Sequence, residues 1–449
     1  MSSCTSSSAS RRIGVVGAGY VGLTTAACLA HLGHQVNCVD VDHDKIQRLN
    51  RGEVSIDEPQ LADLVTTWLR RDRLCFHTEL RSLADADTVL LCLPTPAGQQ
   101  GDADLTAIES VLTQLSTLLA RGTILVTKST VPVGTAHRAG QLLARPDIAI
   151  VSNPEFLREG HAVHDFLHPD RIVLGATDPA AARTVAQLYE TLPAPVITTS
   201  TASAELAKYA SNAFLALKIS YANELAELCE RLHADITEVT ETMGLDHRIG
   251  PAFLAPGPGW GGSCLPKDTT ALLHAAHSVD LEFGILGEAI HTNTAQPDRI
   301  IDKIRHATAH PLTGTRIGLL GLTFKAGTND LRHSPALTIA HRLAAEGAHL
   351  TAYDPHLSAP GPTQLHPIHL VDDAYLATKD AEAIVVLTEA PQFRELDWTQ
   401  IAATTPAATV IDTRNTLDPD TLRSCGLRHI GTGTPLTSSV TRARPNAGL

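Results

Sequence analysis

Cys264 lies in the segment Gly259-Trp-Gly261-Gly-Ser-Cys264-Leu-Pro266-Lys267-Asp268, after a run of glycines and ahead of a proline suited to the first turn of a helix. At such a helix start, free backbone N–H groups, the helix dipole and the neighbouring Lys267 all favour thiolate, the form of sulfur that attacks a carbonyl carbon. A nucleophile is one reading. An isolated cysteine is more commonly a small core residue, and this segment alone leaves both readings open.

A second group is Gly17-Ala-Gly19-Tyr20-Val21-Gly22. Small residues between a strand and a helix let the backbone approach a pyrophosphate held at the helix N-terminus. Asp40 closes the next strand, about 20 residues on, where a carboxylate accepts hydrogen bonds from ribose hydroxyls and repels a 2′-phosphate. The pair predicts NAD rather than NADP. The alternative is a glycine turn that serves only helix–strand packing.

Two further segments carry polar groups in positions suited to ligands. Asn153-Pro-Glu155-Phe156-Leu157-Arg158-Glu159-Gly160 follows a strand end, the place where open α/β sheets bind ligands. Lys208 and Asn212, four residues apart, share a helix face offset from an apolar stripe. Each segment taken singly reads equally well as a solvated face.

The elements that must hold these groups are legible in outline. Strand-like runs at Ile13–Val16, Gln35–Asp40, Thr88–Leu93, Thr123–Lys128, Ile148–Ser152 and Ile172–Gly175 alternate with helix-length stretches. A doubly wound parallel sheet follows. Thr201–Arg231 contains neither Gly nor Pro, and Leu206, Ala210, Ala213, Leu217, Leu225 and Leu228 recur at helical spacing. That predicts a long amphipathic helix, either a subunit interface or a buried core helix. The strand–glycine pattern restarts with Arg316–Leu320, and its turn lacks the full glycine fingerprint, so this second Rossmann-like domain is not expected to bind a dinucleotide. The expected division is a tail over 1–11, a cofactor domain over 12–200, a helical domain over 201–310, a second Rossmann-like domain over 311–433 and a tail over 434–449. Both tails are expected to be disordered.

Composition narrows the class. A chain of 449 residues with 43% hydrophobic residues exceeds one core and suits a multidomain globular protein. A net charge of −13 argues against nucleic acid or an anionic membrane as partner, so anionic ligands need local donors. Eight scattered cysteines without a C-x-x-C pair form neither a disulfide framework nor a zinc ligand set. Reduced thiols in the cytoplasm and no metal are the expectation, and no apolar run suggests a secretory signal or a membrane span.

Taken in order, Gly17–Gly22, Lys128-Ser129-Thr130-Val-Pro-Val-Gly134, Asn153–Gly160, Ala204-Glu-Leu-Ala-Lys208-Tyr, Gly261–Asp268 and Phe324-Lys325-x-x-Thr328-x-Asp330-x-Arg332-x-Ser334-Pro335 resemble the successive blocks of the UDP-glucose/GDP-mannose dehydrogenase family, from about Arg12 to Gly431. The resemblance implies a four-electron, NAD-dependent oxidation of a nucleotide sugar at C6. Within it, Cys264 is the nucleophile of the second step, Lys208 and Asn212 support the alkoxide, and Asp268 aids proton traffic. Thr130 and Glu155 position and activate water. The resemblance also assigns the cofactor to Gly17, Gly19, Tyr20, Val21, Gly22, Asp40, Lys45, Pro94, Thr95, Ser129, Thr130, Glu159, Lys267 and Arg332. It assigns the substrate to Phe156, Leu157, Arg158, Glu159, Lys208, Asn212, Phe253, Gly257, Gly261, Phe324, Lys325 and Arg414, with Arg248 reaching over from a neighbouring subunit of a homodimer or higher oligomer. Two departures bear on the substrate. Ser55-Ile-Asp57-Glu58-Pro59-Gln60 replaces the apolar-Tyr-Glu-Pro-Gly run of many UDP-glucose members, and Leu265 stands where many have Phe. GDP-mannose, UDP-N-acetylhexosamines and dTDP-glucose are the alternatives to UDP-glucose. A nucleotide-sugar-binding protein without activity is a further one.

Overall fold

The computed structural model describes residues 10–98, 101–308, 310–405 and 408–435. Both tails expected to be disordered lie outside the described residues, except for 10–11 and 434–435. Contacts divide the chain into two compact units, Met1–Asn212 with Lys267–Glu282, and Ala213–Pro266 with Phe283–Leu449.

The first unit is built on β1 (Arg12–Val16), β2 (Gln35–Val39), β3 (Leu74–His77), β4 (Thr88–Leu91), β5 (Ile124–Thr127), β6 (Ala149–Ser152), β7 (Ile172–Ala176) and β8 (Val196–Thr199). The sheet order is β3-β2-β1-β4-β5-β6-β7-β8, parallel except between β6 and β7. Alternate residues feed opposite faces, as the two-residue period of a strand requires. Leu90 and Val126 join one core with the helix Tyr20–His31, while Val89, Leu91 and Leu125 join another with the helix Thr106–Leu118. Fully buried strands such as Thr88–Leu91 and Ile124–Thr127 follow from a sheet covered on both sides.

The second unit repeats the plan with β9 (Arg316–Leu320), β10 (His349–Tyr353), β11 (His369–Leu370), β12 (Ala383–Val386), β13 (Thr409–Asp412) and β14 (Arg428–Gly431), ordered β11-β10-β9-β12-β13-β14 and parallel throughout. Its helices start at strong caps. Ser334 accepts from Leu337 N, Asp397 from Thr399 N and Asp418 from Asp420 N, with Pro335 and Pro419 in the first turns. Each such cap contributes about 1 kcal/mol.

The helix Thr201–Leu232 gives its first twelve residues to one unit and the rest to the other. Its buried face differs from the leucine stripe expected from spacing. Ala204, Glu205, Lys208, Tyr209, Asn212, Ala216, Ser220, Asn223 and Ala226 are buried, whereas Leu206, Phe214, Tyr221 and Leu228 are 44%, 63%, 53% and 48% exposed. The small and polar side is the inner one, which corrects both the reading of a buried leucine core helix and that of Lys208 and Asn212 as a solvated face.

Every cysteine among the described residues is free. Cys28, Cys38, Cys92 and Cys229 are buried. Burial raises the thiol pKa of all four, that of Cys92 to about 12. Cys264, Cys75 and Cys425 are partly exposed.

Candidate active site

The first constellation sits at the carboxyl ends of the parallel strands of the first sheet. Gly17 has φ 99°, and a Cβ there would come within 2.5 Å of the Cys92 carbonyl oxygen. A Cβ on Gly22 would fall 1.8 Å from the Gly17 carbonyl, so the third glycine lets helix Tyr20–His31 close onto the turn. Gly19 is different. Its φ of −78° suits any residue and a Cβ would meet no protein atom within 4 Å, so packing does not demand glycine there. Backbone access for a pyrophosphate does, which favours the dinucleotide reading over the packing one.

Asp40 follows β2 and accepts from Ala18 N at 2.8 Å, Asp42 N at 3.0 Å and Lys45 Nζ at 3.0 Å. Burial opposes its charge, but the two N–H donors and the Lys45 ammonium outweigh it and hold the carboxyl below its usual range. A carboxylate fixed in this way is ready to accept ribose hydroxyls. Asp40→Ala is expected to weaken NAD by about 10- to 100-fold, the worth of hydrogen bonds to a charged group, and to relax discrimination against NADP. An unchanged ratio of kcat/KM for NAD and NADP would remove Asp40 from the cofactor site. Ser129 donates to the Leu93 carbonyl at 2.7 Å and Thr95 to the Thr130 carbonyl at 2.8 Å, which ties the loops after β4 and β5 together beside the exposed Pro94.

Thr130 follows β5, Glu155 follows β6, and Lys208 reaches the same strand ends from helix Thr201–Leu232. Lys208 Nζ lies 3.1 Å from Glu155 Oε1, with both side chains buried. Glu155 Oε2 accepts from Leu157 N at 2.6 Å. The Phe156 ring has the Lys208 ammonium 5.2 Å from its centroid and the Arg171 guanidinium at 3.6 Å. Glu58, in the segment that departs from the family run, accepts from Gly160 N at 2.8 Å and also bonds the Tyr20 hydroxyl. Arg158 is exposed and paired with Asp165 at 2.7 Å. Asp268, 1% exposed, accepts from Asn212 Nδ2 at 2.6 Å and from Lys267 Nζ at 2.7 Å.

In the second unit the Gly257–Gly261 loop is suspended from two helices. Gly257 N donates to Asn223 at 2.8 Å, its carbonyl accepts from Gln296 at 2.8 Å, and Trp260 exchanges bonds with Asn293 at 2.7 and 3.0 Å. A Cβ on Gly257 would meet Arg414 Nη1 at 2.7 Å, and one on Gly262 the Phe324 ring at 2.7 Å. The loop, Arg414 and Phe324 therefore lie together. Arg414 Nε lies 3.3 Å from Glu389, whose carboxyl is kept below its usual range because Arg414, backbone donors and Lys325 together outweigh burial. Phe253 holds a left-handed φ of 64°, a conformation that costs a bulky residue energy and is concentrated at functional sites. Arg248 and Arg332 are each paired with a nearby acid, Asp246 and Asp330. Cys264 immediately precedes the helix Leu265–His277, with Ser263 Oγ 3.5 Å from its sulfur.

The turn after β9 is filled from within. Asp354, after β10, accepts from Leu322 N, Thr323 N and Thr323 Oγ1 at 2.8, 3.1 and 3.0 Å, and Thr388 occupies the space in front of Gly321. The amides that would face a pyrophosphate are thus satisfied internally. Sequence reasoning missed Glu58, Asn223, Asn293 and Gln296. Only the position of Glu58 within a recognised segment could have signalled it.

Models of the UDP-glucose/GDP-mannose dehydrogenase family match residues 11–193 as its NAD binding domain, 202–295 as its central domain and 318–419 as its UDP binding domain. The chain is 39% identical over 433 residues to UDP-glucose 6-dehydrogenase TuaD of Bacillus subtilis, covering 95% of this chain and 94% of that protein. A UDP-glucose dehydrogenase structure from Pyrobaculum islandicum superposes with a TM-score of 0.88 at 34% identity, over 96% of this chain and 99% of that one. A UDP-D-ManNAc dehydrogenase from Pyrococcus horikoshii gives a TM-score of 0.84 at 26% identity, over 94% of this chain and 99% of the other.

Proposed function

Since this chain belongs to the UDP-glucose/GDP-mannose dehydrogenase family, we propose that it is an NAD-dependent 6-dehydrogenase that oxidises UDP-glucose twice, to UDP-glucuronate. The observation that carries the reading is the buried Lys208–Glu155 pair at the ligand-binding edge of the sheet whose first turn suits NAD. Two charges are costly to bury, and a site that handles oxyanions and water gives a reason to keep them.

NAD, held by the Gly17–Gly22 turn and Asp40, would supply the hydride acceptor at C6, one NAD for each of the two oxidations. Lys208 offers its ammonium, and Asn212 its amide, to the oxygen on that carbon as its proton passes to water. Cys264 adds to the resulting aldehyde: a sulfur–carbon bond forms, the carbonyl pair moves to oxygen, and a thiohemiacetal results. Loss of a second hydride leaves a thioester. Water held by Thr130 attacks it, Glu155 takes the water's proton, and the thiol leaves as the carboxylate forms. Asp268, anchored by Asn212 and Lys267, receives protons displaced at the sulfur. Lys325 and Arg414 hold the diphosphate.

The exposed apolar stripe Leu206, Phe214, Tyr221 and Leu228 supports a homodimer through the long helix, with Arg248 reaching the neighbouring subunit's substrate. Among the described residues no helix is long and apolar enough to cross a membrane. The cytoplasm suits an enzyme whose thiol must stay reduced.

A panel of nucleotide sugars with NAD tests the proposal. UDP-glucose should yield two NADH and one uronate per molecule, with GDP-mannose, dTDP-glucose and UDP-N-acetylhexosamines at least about tenfold slower, since a misfitted polar group is left unpaired. Two NADH from another sugar would change the substrate. One NADH with free aldehyde would refute the thioester route, and none with any sugar would leave a binding protein. Light scattering on the same sample should give a multiple of 47.7 kDa; a single chain would refute the interface.

A further inference from the structure

The geometry points to Glu205 as a positioning residue that fixes the Thr130 loop and the Glu155 strand end against the helix that carries Lys208. Glu205 is 2% exposed and lies one turn before Lys208 on the same helix face. Its Oε2 accepts from Gly134 N at 2.7 Å and its Oε1 from Ala136 N at 2.8 Å, across 71 and 69 residues of sequence. Oε1 also accepts from Ser152 Oγ at 3.3 Å, at the end of β6.

Each partner leads directly to a candidate group. Gly134 is the residue before helix Thr135–Leu143, has φ 96°, and the helix has no side-chain cap of its own. At this helix start the N–H groups of Gly134 and Ala136 are satisfied by a carboxylate on another element. Thr130 lies in the turn that leads into that helix, and its carbonyl is held on the other side by Thr95. Ser152 is followed by Asn153, Pro154 and Glu155. One carboxylate thus joins the three elements bearing Thr130, Glu155 and Lys208. Its charge serves the tether, because N–H donors bond an ionised acceptor about twice as strongly as a neutral one. Burial raises the carboxyl pKa of Glu205, and the same N–H donors work against that rise. Nothing in this arrangement brings Glu205 to the reacting atoms; it acts through the residues it holds.

The inference rests on the proposed function only for its activity readout. Glu205→Gln keeps one oxygen but presents an NH2 group to the second N–H, so one tether to the loop must break. A group displaced by about 1 Å costs on the order of 100-fold in rate. The expected result is kcat lowered by about 30-fold, with KM for NAD and for UDP-glucose within about threefold of wild type. Glu205→Asp keeps the charge and should recover part of that loss. Amide exchange over residues 130–140 of the protein alone should rise in both variants. Asp178→Ala, which removes the cap of helix Pro179–Ala186 in the same unit, is the stability control and should keep its kcat. Folded Glu205→Gln with kcat within about twofold of wild type would overturn the inference, as would an equal kcat loss in Asp178→Ala, or a Glu205→Asp variant with both wild-type kcat and unchanged amide exchange over residues 130–140. If the Gln variant does not fold, the Asp variant decides. The NADH count of wild type judges the function separately, and amide exchange judges the tether even if that count fails.

Discussion

Cys264→Ser lowers uronate formation by about 1000-fold or more, because a serine hydroxyl is hardly ionised near neutral pH and both its addition to the aldehyde and the collapse of its ester are slowed. The loss is confined to the second oxidation, since no thiol is needed to remove the first hydride. The variant stops either at one NADH per sugar with free aldehyde, or at two NADH per enzyme with an ester adduct that does not turn over. Counting NADH against uronate, with intact-mass spectra of the protein, distinguishes these products. Near-normal uronate from the Ser variant would make Cys264 a structural thiol and end the covalent route.

Lys208→Met produces two losses with separate causes. Removing one partner of the buried ion pair leaves the Glu155 carboxylate with only the Leu157 N–H and the attraction of Lys128, at a cost of up to about 3–5 kcal/mol of stability. Removing the cation from the oxyanion also slows the first hydride transfer by about 100- to 1000-fold. A second change separates the two. Lys208→Met with Glu155→Gln removes both charges of the pair, so denaturation should shift back toward wild type while the rate stays low. Lys208→Met with full kcat would remove Lys208 from the chemistry. A double variant no more stable than the single one would show that the pair is not the source of the stability loss.

The sequence was most informative where chemistry and local backbone geometry coincide. Gly17, Gly22 and Asp40 lie within one strand–turn–helix–strand unit, where spacing alone can single them out, and Gly17 and Gly22 prove to be positions where a Cβ would strike a carbonyl. Lys208 shows the limit. Its helix was legible, but the buried side was not, because the partner that allows an ammonium to be interior, Glu155, lies far upstream in sequence. Asn223, Asn293 and Gln296 were invisible for the same reason: each bonds a loop residue more than 30 positions away. Short strands fared worst. Leu74–His77, His369–Leu370 and Arg428–Gly431 are too brief, and too mixed with charge or histidine, for a period to emerge, and neighbouring strands define them.

The unequal burial of the cysteines means that alkylation chemistry reads this molecule unevenly. Iodoacetamide requires thiolate, so Cys28, Cys38, Cys92 and Cys229, whose thiols burial keeps protonated, are labelled only as the fold opens. Cys264 and Cys425 are partly exposed, so reagent reaches them before the fold opens. Adduct mass against time thus separates modification of the exposed thiols from loss of the fold in one sample, and protection of an early adduct by nucleotide sugar would mark the thiol that the substrate covers.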